Sequence, residues 1–249
     1  MSIISCENIE KYYPEGFSGR KKKILTDLSF TVRQGDVFGI VGPNGAGKST
    51  TLKIILDFVR PDKGKASISG HPARSHTSHR HLGFLPENPS LYRHLTVTDH
   101  LLFAARTAGM PRGEAMRRAD EILCTVDLSH AAHIPISRFS KGMTQRGALA
   151  YALFLKPEVL ILDEPMSGLD PLGRQLVIDI IRESHQKGTT ILFCSHILTD
   201  VERICTQIAI MDKGWLAAFT TPQELQQRKD VAKPEMSPLE SFFLEVIAG

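Results

Sequence analysis

Gly42, Gly47, Lys48 and Ser49 fall in the pattern G-x-x-x-x-G-K-[ST] within VFGIVGPNGAGKSTTLKIIL. Each residue type has a chemical reason at its place. Glycines let the backbone wrap closely, so amide N–H groups from about Asn44 to Ser49 can converge on phosphate oxygens. The lysine carries an ammonium to the β- and γ-phosphates, and the next hydroxyl suits a magnesium ion. Such a pattern carries weight only between a buried strand and a helix. Here Val37–Val41 is an unbroken apolar run and an amphipathic stretch follows Ser49, so the residues predict a nucleotide site rather than a glycine-rich turn.

A second acidic element stands in LILDEP (160–165). Sheets of the α/β class gather ligand chemistry at the carboxyl ends of their strands. Asp163 is there as a partner for the magnesium shell. Glu164 is left to polarise an attacking water, a general-base role worth ~10²–10⁴ in rate. His196, in FCSHIL, follows another apolar run. Its position leaves two readings open, a structural histidine and one that hydrogen-bonds a γ-phosphate. RFSKGMTQR (138–146) opens a helix with the Ser140 hydroxyl, the Lys141 cation and the unhindered backbone of Gly142. That start suits an anion, which gives the chain one anion site more than a single nucleotide needs.

The elements that must hold these residues can be read from apolar spacing. Runs at 37–41, 159–162 and 189–194 lack polar alternation and predict parallel strands covered on both faces. Residues 2–9 and 24–32 predict an antiparallel lead-in. Ala115, Met116, Ala119, Ile122, Leu123 and Val126 recur at helical spacing after Pro111. An earlier helix is expected from near Thr96, through Leu101, Leu102, Ala104 and Ala105, to a stop at Gly109. Residues 91 to 155 therefore read as a helical insertion between α/β strands. Near the end, Ser237 and Glu240 form a capping box with Pro238 at the first helical position. Leu239, Phe242, Phe243 and Val246 share one face, which predicts a terminal helix packed on the same chain.

Composition narrows the classes. A hydrophobic content of 42% with 23% charged residues is that of a globular chain, and 249 residues suffice for one large domain or two smaller ones. A net charge of +3 without a clustered basic face gives no support to a nucleic-acid partner. The four cysteines are far apart and form no CxxC pair; they are expected as reduced core thiols in a cytosolic compartment. The longest apolar run, 148–155, is far short of the ~20 residues of a spanning helix. The first residues lack the features of a signal peptide. HPARSHTSHRH (71–81) has no carboxylate or cysteine beside its histidines and reads as a solvated loop rather than a metal site. The basic run 20–23 reads as a solvated turn between strands rather than a lipid-binding patch.

Taken together these motifs resemble the ATP-binding subunit of an ATP-binding cassette (ABC) transporter, in the expected order from about residue 4 to 225. GPNGAGKST, comprising Gly42, Pro43, Asn44, Gly45, Ala46, Gly47, Lys48, Ser49 and Thr50, looks like the Walker A loop. FSKGMTQR is similar to the family signature, LILDEP to Walker B, SGLD (167–170) to the D-loop and SH (195–196) to the switch histidine. The resemblance implies a P-loop NTPase (RecA-like) core with a mostly parallel sheet, an N-terminal antiparallel β lobe and an inserted α-helical subdomain. Core and β lobe would occupy 1–90 and 156–225, the subdomain 91–155 and a helical tail 226–249. It implies ATP and Mg2+ as ligands, and an aromatic on the adenine at Tyr13, with Tyr12 the lesser choice. It further implies a head-to-tail dimer, homomeric or of paired cassettes, in which Ser140 and Gly142 reach the other copy's ATP. Asp170 would contact the opposing subunit, His196 hold the γ-phosphate, and Glu164, His196 and Lys48 form the catalytic set.

Three motifs depart from the family pattern. Lys141 stands for the first glycine of the signature and Met143 for its glutamine. Glu87, in GFLPENP, stands where the family has a glutamine near magnesium, joining Ser49 and Asp163 as a metal candidate. Thr206-Gln207 replaces an aspartate-arginine pair. The SKGM signature, the acidic LPEN loop and the tail resemble single-domain ATPases of bacterial exporters of drugs or polysaccharides. The resemblance thus implies a cytoplasmic subunit, peripheral on the inner face of the cell membrane through an integral membrane permease. A soluble ABC-type ATPase of translation or DNA repair is the alternative; those usually carry paired cassettes or long coiled-coil insertions, which this chain lacks.

Overall fold

The computed structural model describes residues 1–16, 20–227 and 236–248. The chain divides into two compact units, one of residues 1–80 and 190–249 and one of residues 81–189. In the first, β1 (Ser2–Glu15) pairs antiparallel with β2 (Arg20–Arg33) and with β4 (Lys63–Ile68), and β4 pairs with the short β5 (His71–Pro72). This four-stranded sheet has the order β2-β1-β4-β5. It contains the antiparallel lead-in and makes both strands longer than apolar runs alone predict. The basic run 20–23 lies in the ladder of β2, opposite Tyr12–Glu15, and not in a turn. Lys23 is held there by Glu10 at 3.4 Å.

The same unit carries a second, largely parallel set of strands. β3 (Val37–Val41) runs parallel to β8 (Thr190–Ser195) on one side and to β9 (Gln207–Asp212) on the other, and β10 (Trp215–Thr220) closes antiparallel on β9. All five residues of β3 and all six of β8 are buried, as the absence of polar alternation requires. Thr206, one of the departures from the family pattern, clasps the start of β3. Its hydroxyl accepts from the Val37 N–H at 2.9 Å, and its own N–H donates to the Val37 carbonyl at 2.8 Å. Phe30 stacks on Phe38 with ring centroids 5.4 Å apart, and Phe219 meets Phe38 edge-on at 6.2 Å. Helices α1 (Lys48–Ile55), α6 (Leu198–Ile204), α7 (Pro222–Gln227) and α8 (Pro238–Ala248) complete the unit.

Helix α8 forms as its sequence predicts. The Ser237 N–H donates to Glu240 at 2.9 Å and the Glu240 N–H to the Ser237 hydroxyl at 3.2 Å. Leu239 and Phe242 are buried, and the Leu239 N–H donates to Glu202 of α6 at 3.3 Å. The predicted tail also includes 228–235 and 249, which lie outside the described residues. Cys6, Cys194 and Cys205 are buried, and burial pushes the Cys6 and Cys205 thiols well up. Cys124 is exposed, contrary to its expected place in the core, because it falls on the outer face of a surface helix.

In the second unit β6 (Leu82–Leu85) and β7 (Val159–Asp163) form a parallel pair. Three helices lie between them in sequence: α2 (Val97–Thr107), α3 (Arg112–Thr125) and α4 (Lys141–Leu153); α5 (Pro171–Gln186) follows β7. Arg146 of α4 ties the helices together by donating to the Val126 and Asp127 carbonyls at the end of α3, both at 2.9 Å. Arg118 of α3 reciprocates toward the Leu153 and Phe154 carbonyls at the end of α4. These contacts satisfy carbonyls that a helix end leaves without intrahelical partners.

Helix α2 begins in a full capping box. The Thr96 hydroxyl accepts from the Asp99 N–H at 3.0 Å, and the Thr96 N–H donates to Asp99 at 2.9 Å. Bonds from the Thr96 hydroxyl and N–H hold the Asp99 carboxyl below its ordinary range. A depressed folded-state pKa adds stability above the unfolded value, and that stability is lost as pH falls through the folded one. Thr96→Ala should therefore lower stability at neutral pH by about 1 kcal/mol in a urea titration. The deficit should shrink as the pH is taken below the carboxylate range. A deficit unchanged in acid would mean that Asp99 has no part in the cap.

Candidate functional site

The nucleotide loop leaves β3 at Val41 and enters α1 at Lys48. Its shape depends on backbone meeting backbone. A methyl built on Gly42 would overlap the Met211 carbonyl oxygen of β9. Gly47 has φ +105°, and a methyl there would come within 2.5 Å of Leu25 Cδ2. The Gly214 N–H donates to the Ala46 carbonyl at 3.0 Å, so the turn between β9 and β10 braces the loop from below. Nothing in the loop sequence announces this support; only the Lys213-Gly214 turn hints at a tight approach. Gly42, Ala46, Gly47 and Lys48 are buried, while Pro43, Asn44 and Gly45 are exposed. The Lys48 ammonium donates to the carbonyls of Gly42 at 2.7 Å and Pro43 at 3.2 Å. Its charge is thus held over the mouth of its own loop.

Strand register brings further predicted residues to common edges. Val41 pairs with Ser195, so Gly42 and His196 leave neighbouring parallel strands at the same level. His196 is exposed. In the other unit Leu85 pairs with Leu162, so Glu87 and the Asp163-Glu164 pair also follow neighbouring strand ends. Asp163 and Glu164 are each only 7% exposed, whereas Glu87 is exposed. Glu164 has φ +50°, in the left-handed region that costs a non-glycine residue. Strain of that kind persists only where surrounding structure holds it and gathers at functional sites. Here Glu164 turns the chain sharply out of β7, and its carbonyl accepts from the Ser167 N–H at 3.1 Å.

Ser140 caps α4, its hydroxyl accepting from the Met143 N–H at 3.1 Å. Asp170 caps α5 in the same manner, accepting from the Gly173 N–H at 2.8 Å. Both helix starts open into one groove of about 690 Å³, lined among others by Ser140, Lys141, Gly142, Arg146 and Asp170. The sequence leaves the direction of Lys141 open. In the structure its side chain lies across Gly168, whose φ is +72°; a methyl there would come within 2.7–2.9 Å of Lys141 Cδ, Cε and Nζ. The lysine that replaces the signature glycine therefore packs on the D-loop of its own chain. Gln145, buried one turn further along α4, donates to the Pro165 carbonyl at 3.3 Å. It fastens the signature helix to the turn that carries Glu164, a contact the motif pattern does not reveal.

Tyr12 and Tyr13 face opposite sides of β1. Tyr12 donates its hydroxyl to Glu10 at 2.8 Å with Lys23 Nζ 5.5 Å from its ring centroid. The Tyr12 hydroxyl, with Lys23 and Lys63, draws the Glu10 carboxyl below its ordinary range. Tyr13 instead has Lys11 Nζ 5.4 Å from its ring centroid, and that lysine is anchored on the Arg60 carbonyl and Asp62. The histidine-rich stretch forms β5 and a turn of 3₁₀ helix at His76–His79. Among the described residues no cluster of histidine, cysteine and carboxylate side chains suits a metal ion, and none of the helices is long and apolar enough to cross a membrane.

The arrangement has close parallels. A family model described as ABC transporter matches residues 25–167. An uncharacterized ABC transporter ATP-binding protein of Nostoc is 43% identical over 227 residues, which cover 90% of this chain and 68% of the relative. The linearmycin resistance ATP-binding protein of Bacillus subtilis is 36% identical over 91% of this chain and 71% of its own length. A solved structure of the ATP-binding subunit of an ABC transporter matches with a TM-score of 0.84 at 31% identity, covering 99% of this chain and all of that one. With the phosphate loop, the acidic strand end and the signature helix in one chain, these likenesses decide the family: this chain belongs to the ABC transporters, as an ATP-binding ATPase subunit of P-loop NTPase fold.

Proposed function

We propose that the chain powers export through a separate membrane permease by ATP-driven, head-to-tail pairing with a second cassette. The observation that carries this reading is the groove shared by the starts of α4 and α5. Ser140 and Gly142 belong to one unit and the Lys48 loop to the other. A chain with a complete phosphate loop gains nothing from a second anion-seeking helix start unless that start serves another copy's ATP. Asp170 at the neighbouring helix start would then contact the partner. The outward direction is supported by a relative named for linearmycin resistance. Residues 91–155 act in this reading as the signature-bearing subdomain, and 1–90 with 156–225 as core and β lobe. The subunit would sit on the cytoplasmic face of the membrane, held by the permease.

The residues divide the work by their chemistry. Backbone N–H groups from about Asn44 to Ser49 and the Lys48 ammonium bind the phosphates; an incoming phosphate draws that ammonium off the Gly42 and Pro43 carbonyls. Tyr13 stacks on adenine, while Tyr12 gives its hydroxyl to Glu10. The Ser49 hydroxyl and the carboxylates of Asp163 and Glu87 are hard oxygen donors, which fit magnesium. When bound, that ion neutralises charge on the β- and γ-phosphates. Glu164, buried and turned out of the strand end by its left-handed backbone, polarises the attacking water. His196, exposed beside the phosphate loop's strand, hydrogen-bonds the γ-phosphate.

Two substitutions separate these roles. Glu164→Gln should abolish steady-state hydrolysis and leave ATP-bound dimers visible by size-exclusion chromatography; near-normal turnover would remove Glu164 from the base role. Ser140→Arg should block hydrolysis while the isolated monomer keeps its ATP affinity in an equilibrium titration. Normal hydrolysis by that variant would overturn the reading that the signature serves another copy.

A further inference from the structure

Between Glu87 and α2 the chain passes through Tyr92–Leu95, a segment with no regular structure. It is nevertheless held at several points. The Tyr92 N–H donates to His100 Nε2 at 3.0 Å, and His100 Nδ1 lies 2.8 Å from the Thr96 carbonyl. A carbonyl only accepts, so Nδ1 carries the proton, and Nε2 must accept from Tyr92. His100 is therefore a neutral imidazole of one defined tautomer. It is 7% exposed, and the Tyr92 ring stacks on it at 5.9 Å between centroids and 22° between planes. Tyr92 itself is exposed. The buried ring, not the tyrosine side chain, does the holding.

The same segment is bonded to the lead-in of the signature. The Ser137 N–H donates to the Arg93 carbonyl at 2.8 Å and the Ile136 N–H to the Leu95 carbonyl at 2.9 Å. A bridge joins Thr96 to Pro135, and the Thr98 hydroxyl donates to the Ala132 carbonyl at 2.8 Å. Ile136–Arg138 is a single 3₁₀ turn, two residues from Ser140. One strap thus runs from the loop bearing Glu87, over His100, to the entry of α4. Every bond in it lies within one unit of the structure.

We propose that His100 is a positioning residue for ATP hydrolysis, pinning the strap after Glu87 to the first turn of α2 and thereby setting the entry to the signature helix. The role rests on Glu87 and Ser140 acting as proposed above. Histidine suits the place because one ring supplies both a donor to the helix and, on the opposite side, an acceptor to the strap. A phenylalanine of similar shape keeps the stacking and supplies neither.

The test compares His100→Phe with His100→Gln in the full chain, Gln offering an amide oxygen to the Tyr92 N–H. In His100→Phe, kcat for ATP should fall about five- to tenfold, the scale of one lost buried hydrogen bond, with KM little changed because the phosphate loop is untouched. Amide hydrogen exchange at Tyr92 should accelerate in the same variant, and His100→Gln should restore both. Should His100→Phe prove unfolded, His100→Gln alone decides, since it should keep slow Tyr92 exchange and near-normal kcat. Wild-type kcat in a folded His100→Phe would overturn the proposal. So would a rise in KM at constant kcat, unchanged Tyr92 exchange, or a His100→Gln that restores the exchange but not the rate. The exchange measurement does not depend on the function of the signature. Normal hydrolysis by Ser140→Arg would thus sink the dimer reading and the strap's route through Ser140, whereas wild-type kcat in His100→Phe beside an inactive Ser140→Arg would sink the strap's role alone.

Discussion

In the nucleotide loop two stretches of backbone press together, the Gly42 end of the loop and the Met211 carbonyl of the neighbouring strand, leaving no room for a Cβ. Nothing larger than hydrogen fits on Gly42. The loop's other side is fastened by the Gly214 N–H on the Ala46 carbonyl. Contacts made by backbone alone lose little side-chain entropy, and they hold both sides of the loop whatever the exposed Asn44 and Gly45 do. The remaining chemistry depends on this rigidity. Lys48 can hold its charge at the mouth only because Gly42 and Pro43 present fixed carbonyls, and the register Val41–Ser195 places His196 relative to that same fixed point.

The second unit uses a different device. Its polar side chains are set by helix starts and ends rather than by a loop pressed on a strand. Ser140, Asp170 and Thr96 each satisfy amides that a helix start would otherwise leave bare, and Arg146 and Arg118 satisfy carbonyls at helix ends. A cap costs little conformational freedom and fixes the direction of the helix it opens. The groove by α4 and α5 is the product of two such caps plus Lys141 laid over Gly168. The Gln145 bond to the Pro165 carbonyl ties α4 to the turn that carries Glu164. The His100 strap adds a third fixed point on the same helix entry.

Much of this is legible in the amino-acid sequence. The buried strands at 37–41 and 159–162, the helices opening at Thr96 and Ser140, and the Ser237-Glu240 box all follow from local rules of periodicity and capping. Those rules act within a few residues, so the sequence displays them directly. Readings that depended on what lies opposite fared less well. The basic run 20–23 was expected in a turn and proved to be a strand, because Glu10 and the Tyr12–Glu15 ladder stand across from it. Cys124 was expected in the core and lies outside, since helical spacing marks a face but not the partner that covers it.

The amino-acid sequence by itself determined the chemistry on offer: a phosphate loop, an acidic strand end, a capped anion-seeking helix and the family that combines them. Those are matters of residue type and short spacing. Only the tertiary structure decided that Met211 and Gly214 brace the loop, that Lys141 rests on Gly168, that Gln145 reaches Pro165, and that Glu164 stands in the left-handed region. Each of these except the last joins residues more than fifteen positions apart. The last is a backbone angle that a glutamate would not adopt alone. Neither kind of fact is written in local sequence, because both depend on packing forces that arise only when distant segments meet.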